Sequence, residues 1–403
     1  MRQVQKHLIK KTHRKFKEID EASFASKNLF NSAVYICRQA FFSNQPVPSY
    51  NQLDHKLKAG KDYKALPSKV AQLVIKQVIR CFDSYFEAIK AYNIDPSKFF
   101  SKPKLPKYKK KIDGRNVLTY NCQAFSRKWL QKGYLKPSGL SLKVPTNLRK
   151  VEEVRIIPKG NCYAVEAIYT VDILPEQQCQ GKIASIDIGL DNLATVASND
   201  FDFKPFIVDG KAIKSCNQYY NKRRAKLQSL LTENQFTSNQ IEGLTQKRNN
   251  KMDYYLHTAS RFIIDKLLER GVTHLIIGKN ENWKQSIGIG KRNNQNFTQV
   301  PHARLIDQLT YKAKLVGIKV TITEESYTSK CSFLDLEPIK KHSSYKGRRV
   351  KRGLFKSSLG KKINADLNGA LNIMRKVVGD SVFDGKPIER LVVSPVRFKP
   401  YKA

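Results

Sequence analysis

The sequence reads as an α+β protein of several domains. Helical and strand periodicities alternate along 403 residues, too many for one core. A Pro- and Lys-rich connector, SKPKLPKYKKKIDGRN at 101–116, separates a helical stretch from a strand-rich one. The second half then runs as three short strands, a helical region, a strand, a helix, a strand and a last helix.

Each element has a local reason. Alternation near Val4 to Ile9 predicts a single strand within residues 1–18. Over 21–43, Phe30, Ala33, Val34, Cys37 and Phe41 fall on one helical stripe. Pro67 suits a helix start, and Val70, Val74, Val78, Cys81, Phe82, Tyr85 and Ile89 share a face through 67–92. Residues 117–178 hold short alternating runs, SLKVP, VRIIPKG and CYAVEAIYTV, bounded by Gly, Pro and Asn, which predict a small β-barrel or sheet. From Lys182, KIASIDIGL, LATVAS and PFIVDG predict an antiparallel meander. Helix follows over 211–270, with Met252, Tyr255, Leu256, Ala259, Phe262, Ile263 and Leu267 as its stripe. THLIIG and IKVTITEE are the fourth and fifth strands, separated by the amphipathic VPHARLIDQLTYKAKLVG, and INADLNGALNIMRKVV is the last helix. This is the element order of an RNase H-like domain.

Charge narrows the function. Lys and Arg number 74 against 34 acids, a formal +40. Such an excess repels itself in a compact chain and calls for a polyanion. No apolar run is long enough to span a bilayer, and the N-terminus, MRQVQKHLIKKTHRKFK, lacks the apolar core of a signal peptide. Nucleic acid is therefore the expected partner, not membrane, in the cytoplasm and on the nucleoid when DNA is bound. Seven scattered cysteines without a CxxC pair argue against a disulfide framework or zinc ribbon. In the connector, Lys107, Tyr108, Lys109, Lys110 and Lys111 combine cations for phosphates with an aromatic for stacking. Phe125, Trp129 and Tyr134 extend that mixture.

Two acids carry the chemistry. Asp187 lies between apolar residues in Ile-Asp-Ile-Gly, where a carboxylate is costly unless it meets a cation. Gly189 beside it permits close approach. Asp366 opens the last helix, where a capping role alone would suffice to explain it. Together they suit two-metal phosphodiester cleavage, in which carboxylates hold Mg²⁺ ions about 3.5–4 Å apart.

The segment SIDIGLDNLATVAS resembles the first RuvC motif of the TnpB (OrfB) family, transposon-encoded nucleases related to type V CRISPR effectors. SYTSKCSFLD and GKKINADLNGALNI resemble its third motif region, and PSKVAQLVIKQVIRCFDSYFEAIK with KPKLPKYKK resembles its N-terminal half. The resemblance implies an RNase H-like (RuvC) nuclease domain, an N-terminal β-barrel wedge domain and an inserted helical recognition lobe. In this sequence these would be 1–18 for the first wedge strand, 19–105 for the lobe and 106–180 for the wedge barrel. The nuclease domain would take 181–330 and resume with the last helix and tail at 362–403, around an insert at 331–361. The implied activity is Mg²⁺-dependent cutting of double-stranded DNA beside a short transposon-adjacent motif. The guide would be an RNA from the transposon end, two ions would serve each site, and Mn²⁺ could replace Mg²⁺.

Two departures stand out. The family usually carries a four-cysteine zinc ribbon before the last helix. Here Cys331 to Lys362 holds one cysteine, His342, and ten Lys/Arg against Asp335 and Glu337. A zinc-free basic loop is expected, with Lys346, Arg348, Arg349, Lys351 and Arg352 on nucleic acid. The family's second motif usually ends the fourth strand with a glutamate, where this sequence has Gly278. The third metal-binding carboxylate is then expected at Glu325, with Glu324 and Glu281 as alternatives. Two other functions stay open: a nuclease-inactive, RNA-guided DNA-binding repressor, which Gly278 favours, and a DNA transposase.

Overall fold

The computed structural model describes residues 1–176, 181–232, 235–280, 290, 299–384 and 387–400. Its contacts divide the chain into two compact units, Met1–Val171 and Asp172–Ala403.

In the first unit the N-terminal strand is β1, Arg2–Lys10. Helix α1, Phe16–Phe42, and helix α4, Ser68–Ile94, flank the short α2, Tyr50–Leu57, and α3, Lys61–Lys64. Most of each stripe read from sequence is buried: Phe30, Ala33, Val34 and Cys37 of α1 share a core with Val70, Val74, Val78 and Phe82 of α4, while Phe41, Cys81, Tyr85 and Ile89 are half-buried. Each large apolar side chain so buried stabilises the fold by about 1.5–3 kcal/mol. Pro67 occupies the N-cap of α4, where its missing N–H leaves no bond unmade. The rest of the unit is β2, Leu118–Asn121, α5, Arg127–Gln131, β3, Tyr134–Leu135, β4, Val144–Pro145, β5, Glu153–Pro158, and β6, Cys162–Thr170. Strand β1 pairs antiparallel along the whole of β6, from Arg2 opposite Thr170 to Lys10 opposite Cys162. The sheet order is β1-β6-β5-β2, with β3-β4 a separate ribbon. Where a barrel was one expectation, the described strands form an open sheet with β1 and β2 at its edges.

The second unit is built on one six-stranded sheet. Strands β7, Lys182–Asp187, β8, Asn192–Ser198, and β9, Phe206–Asp209, form the antiparallel meander. The expected long helix is two, α6, Lys211–Gln228, and α7, Asn239–Glu269, because the polar run before Asn239 ends with Ser238 capping α7. Strand β10, Val272–Gly278, helix α8, His302–Leu315, and strand β11, Lys319–Thr323, follow. Strand β10 is parallel to both β7 and β11, so the first, fourth and fifth strands lie side by side. The insert holds β12, Arg348–Lys351, and β13, Leu354–Lys356; β14, Lys362–Asn364, follows directly after it. Helix α9, Ala365–Val378, comes next, and a tail strand β15, Val396–Phe398, adds to β9 in parallel. That tail strand has no alternating signature in the sequence.

Alternation along β7 divides its side chains between two cores. Ala184 and Ile186 pack among α7 and α8, while Ile183 packs with Leu367, Ala370 and Met374 of α9. Asp187 shares the face of Ile183 and Ser185, whose hydroxyl donates to the Ala370 carbonyl at 2.6 Å. By the same alternation Ile276 and Gly278 of β10 lie on the α9 side, as Ile276 does in that core. The end of the sheet under α9 is therefore where acids can collect.

Candidate active site

Three carboxylates lie toward that sheet end, near enough that the charges of Glu325 and Asp366 both act on Asp187. Asp187 closes β7. Asp366 sits in the first turn of α9, whose start is fixed by Asn364: its side-chain oxygen accepts from the Asp366 and Leu367 amides, each at 3.0 Å. Gly369, one turn on, faces Asp187, and a Cβ there would stand 2.8 Å from Asp187 Oδ2. A glycine is what lets the helix run this close to the acid.

Glu325 enters from beyond β11. In register, Gly278 of β10 lies opposite Thr323, two residues before Glu325. A Cβ at position 278 would stand 2.5 Å from Glu325 Oε1 and 2.7 Å from its Cγ. The Glu325 side chain thus occupies the space that a residue larger than glycine would fill. Asn280 holds it there, donating from Nδ2 to Oε2 at 3.2 Å and accepting from the Glu325 amide at 3.0 Å.

Burial and mutual repulsion dominate the electrostatics of the acids. The Asp187 carboxyl is pushed well above the usual carboxylate range by burial first, then by the charges of Glu325 and Asp366, with Arg349 opposing. Burial pushes Glu325 up to about 7, against the pull of Lys376. Its Oε1 is buried without a hydrogen-bond partner, an unsatisfied polar atom that a cation would satisfy. Among the described residues, no three or more His, Cys, Asp or Glu side chains stand ready to hold a metal ion. The donor chemistry nonetheless fits a hard divalent cation, since all three acids offer only oxygen.

The neighbours explain why the cluster is not closed. Asp366 Oδ2 accepts from Asn192 Nδ2 at 2.6 Å, and its Oδ1 lies 3.4 Å from Arg349 Nη2. Arg397 Nη2 donates to Asn192 Oδ1 at 2.9 Å, and its Nη1 pairs with Asp209 at 2.7 Å. Arg352 pairs with Asp191. Asn192, Asn280, Asp209 and Arg397 went unmarked in the sequence, and only Asn192, in the first motif, had any signal there. Glu324 turns outward to Lys376, 3.3 Å away, and to Ser326. The Ser326 hydroxyl first, and then Lys376, hold its carboxyl below the usual range. Glu281 lies outside the described residues.

The basic segments divide by role. Along the connector, Lys109 packs against α1: its amide donates to Asn31 Oδ1 at 2.9 Å and its ammonium lies 4.9 Å from the Phe30 ring centre. Lys107, Tyr108, Lys110 and Lys111 are exposed. Lys346 and β12 belong to the 331–361 insert, whose β12 and β13 form with the following β14 a small three-stranded sheet around Phe355 and not the loop expected. All four residues of β12 are exposed. Glu337, buried, accepts the Ser332 and Lys346 amides, each at 2.8 Å, and so ties the two ends of that turn. Burial pushes the Cys331 thiol up, and it donates to the Pro338 carbonyl at 3.4 Å. A protonated thiol already spent on a carbonyl is a poor zinc ligand. Elemental analysis of the purified protein is expected to find far less than one zinc per chain; a stoichiometric ion would overturn the zinc-free reading.

Comparison with known proteins gives two family matches. Residues 161–284 match the OrfB_IS605 family, described as a probable transposase, and residues 302–373 match the Cas12f1-like TNB domain. The TnpB-like protein ORF457 of Acidianus two-tailed virus is 28% identical over 231 residues, 55% of this chain and 47% of that protein. The match thus spans about half the length of this curated relative. Among solved structures, a Cas12f1–sgRNA–target DNA complex aligns over 92% of this chain and 98% of that one, at 15% identity and a TM-score of 0.38. The mini-RNA-guided endonuclease CRISPR-Cas_phi3 aligns over 98% and 94%, at 11% identity and a TM-score of 0.47. With two family matches in chain order across the strands and helices that carry the carboxylates, the chain is similar to the TnpB/Cas12f-like family of transposon-encoded proteins.

Proposed function

We propose that the chain is an RNA-guided DNA endonuclease whose RuvC-like site is Asp187, Glu325 and Asp366. The observation that carries this reading is the exchange at one sheet end: glycine stands at 278, and Glu325 fills the space it leaves. When bound, Mg²⁺ ions would supply Lewis-acid stabilisation of the scissile phosphate and an activated water. The chain's own part is to hold and to exclude. Asp187 is fixed by its strand, the Asp366 backbone by the helix cap and Glu325 by Asn280, while the Asp366 carboxylate would have to leave Asn192 and Arg349 to join the other two on a cation. Arg349 is placed to leave Asp366 for a phosphate oxygen when DNA enters, since an exposed guanidinium pairs as well with either. Base pairing with a guide RNA would select the target, and the protein would read the adjacent motif and the backbone.

Guide RNA is expected to co-purify with the chain from cells that express the transposon end. Its affinity should fall with salt on a log–log slope of about −0.7 for each phosphate neutralised. An RNA-free preparation from such cells would overturn the guided reading. Cleavage of a plasmid library by the purified complex in Mg²⁺ is the direct test. Binding without cutting would leave the repressor reading, which Gly278 favours if Glu325 does not serve. Joining of a labelled transposon end would identify a transposase.

A further inference from the structure

The carboxylate site leaves one cluster in the first unit unused. We propose that Lys132, Lys136 and Lys143, gathered on Trp129, bind a phosphate of a single polynucleotide strand, and that Tyr134 stacks one of its bases. The cluster is assembled from separate pieces of backbone. Trp129 lies in α5, Lys132 caps that helix, Lys136 follows β3 and Lys143 precedes β4. Backbone bonds hold the pieces together: the Ser126 amide donates to the Lys136 carbonyl at 3.0 Å, and β3 pairs with β4 through Tyr134–Pro145 and Leu135–Val144.

The three ammonium nitrogens lie 5.6, 5.7 and 3.6 Å from the indole centre. Three like charges around one ring repel each other, and among the described residues none forms an ion pair. Attraction to a half-buried ring near the surface offsets only about 0.5–1 kcal/mol per cation. An anion of high charge density removes the rest of the repulsion, and a phosphodiester is one. Tyr134 is 41% exposed and lies nearly perpendicular to Trp129 with ring centres 6.2 Å apart, so the two rings do not stack on each other and exposed Tyr134 surface remains for a base. A base can stack there only if it is unpaired, so the occupant is a single strand and not a duplex. The inference rests on the reading that the chain binds nucleic acid, but it uses no residue of the carboxylate site.

Trp129 and Trp283 are the two tryptophans of the chain, so full-length Trp283→Phe reports on Trp129 alone. Its emission would be followed in metal-free buffer with oligonucleotides of about twelve nucleotides, as single-stranded RNA, single-stranded DNA and duplex. Both single strands are expected to quench it alike, because lysines and a ring sense phosphate and base but not the 2′-hydroxyl. Adding Lys132→Gln, Lys136→Gln and Lys143→Gln should raise the half-saturating concentration by about tenfold or more. Lys58→Gln, Lys61→Gln and Lys64→Gln, which remove equal charge elsewhere, should leave the Trp129 signal as it was. Quenching that survives the first triple variant, quenching by duplex as strong as by single strands, or a response to only one of RNA and DNA would overturn the proposal. Anisotropy of the same labelled strands separates the two readings. Total binding retained with Trp129 silent sinks this site alone, and loss of both sinks nucleic-acid binding as well.

Discussion

Asp187→Ala and Asp366→Ala are each expected to lower target cleavage by about a thousandfold, while RNA and target binding stay within a factor of about two. Carboxylates around catalytic cations supply several kcal/mol of transition-state stabilisation, and each 1.36 kcal/mol is tenfold in rate. The basic surfaces that would hold nucleic acid are untouched by either change. Glu325→Gln, which keeps shape and removes charge, should lose about a hundredfold or more. Stability should move the other way. Glu325 has its ordinary 4.5 raised to about 7 in the fold, so the folded chain binds the proton more tightly than the unfolded one. The metal-free wild type therefore loses stability as pH rises between those values, and Glu325→Gln should unfold at a higher temperature above pH 7. Mg²⁺ should raise the midpoint of the wild type more than that of any of these variants. Wild-type cutting in any of the three would show that the acid is misplaced.

The second large effect is at Gly278. Gly278→Ala is expected to lose cleavage as far as Glu325→Gln does, although alanine carries no polar group and lies outside any catalytic role. Its Cβ would fall 2.5 Å from Glu325 Oε1 and 2.6 Å from Ile373 Cδ1, so Glu325 must leave its place. Gly278→Glu, which puts a glutamate at the position usual in the family, should be as poor for the same reason. Combined with Glu325→Gly it should regain part of the activity, because the second change vacates the space that the first requires. Single-turnover cleavage by the four proteins decides it. Gly278→Ala cutting at the wild-type rate, or a double variant no better than Gly278→Glu, would break the link between the two positions.

Most of the secondary structure was legible because burial repeats with the period of each element. The stripes of α1 and α4 needed no tertiary knowledge, since the same residues that recur at helical spacing are those that pack. The meander and the two parallel strands followed from short apolar runs between turn residues. The merging of α6 and α7 into one expected helix failed at a polar stretch that local periodicity bridges. The 331–361 insert read as a loop because its strands are short, basic and exposed on β12, while its order comes from Phe355 and the buried Glu337. The tail strand β15 was silent because three residues carry no period; pairing with β9 makes it a strand.

By itself the sequence determined that this is a strongly basic α+β chain with acids at the end of one strand and the start of one helix. It also set the face on which Asp187 lies, because alternation along a strand is a local property. What only the tertiary structure decided is which of the glutamates after β11 turns inward. Glu324 and Glu325 are adjacent and chemically alike, so nothing local separates them. The separation comes from Lys376 on α9, which draws Glu324 outward, and from Gly278 on β10, which leaves room for Glu325. Both partners are about fifty residues away along the chain, and a space left by a missing side chain exists only once two strands have paired in register.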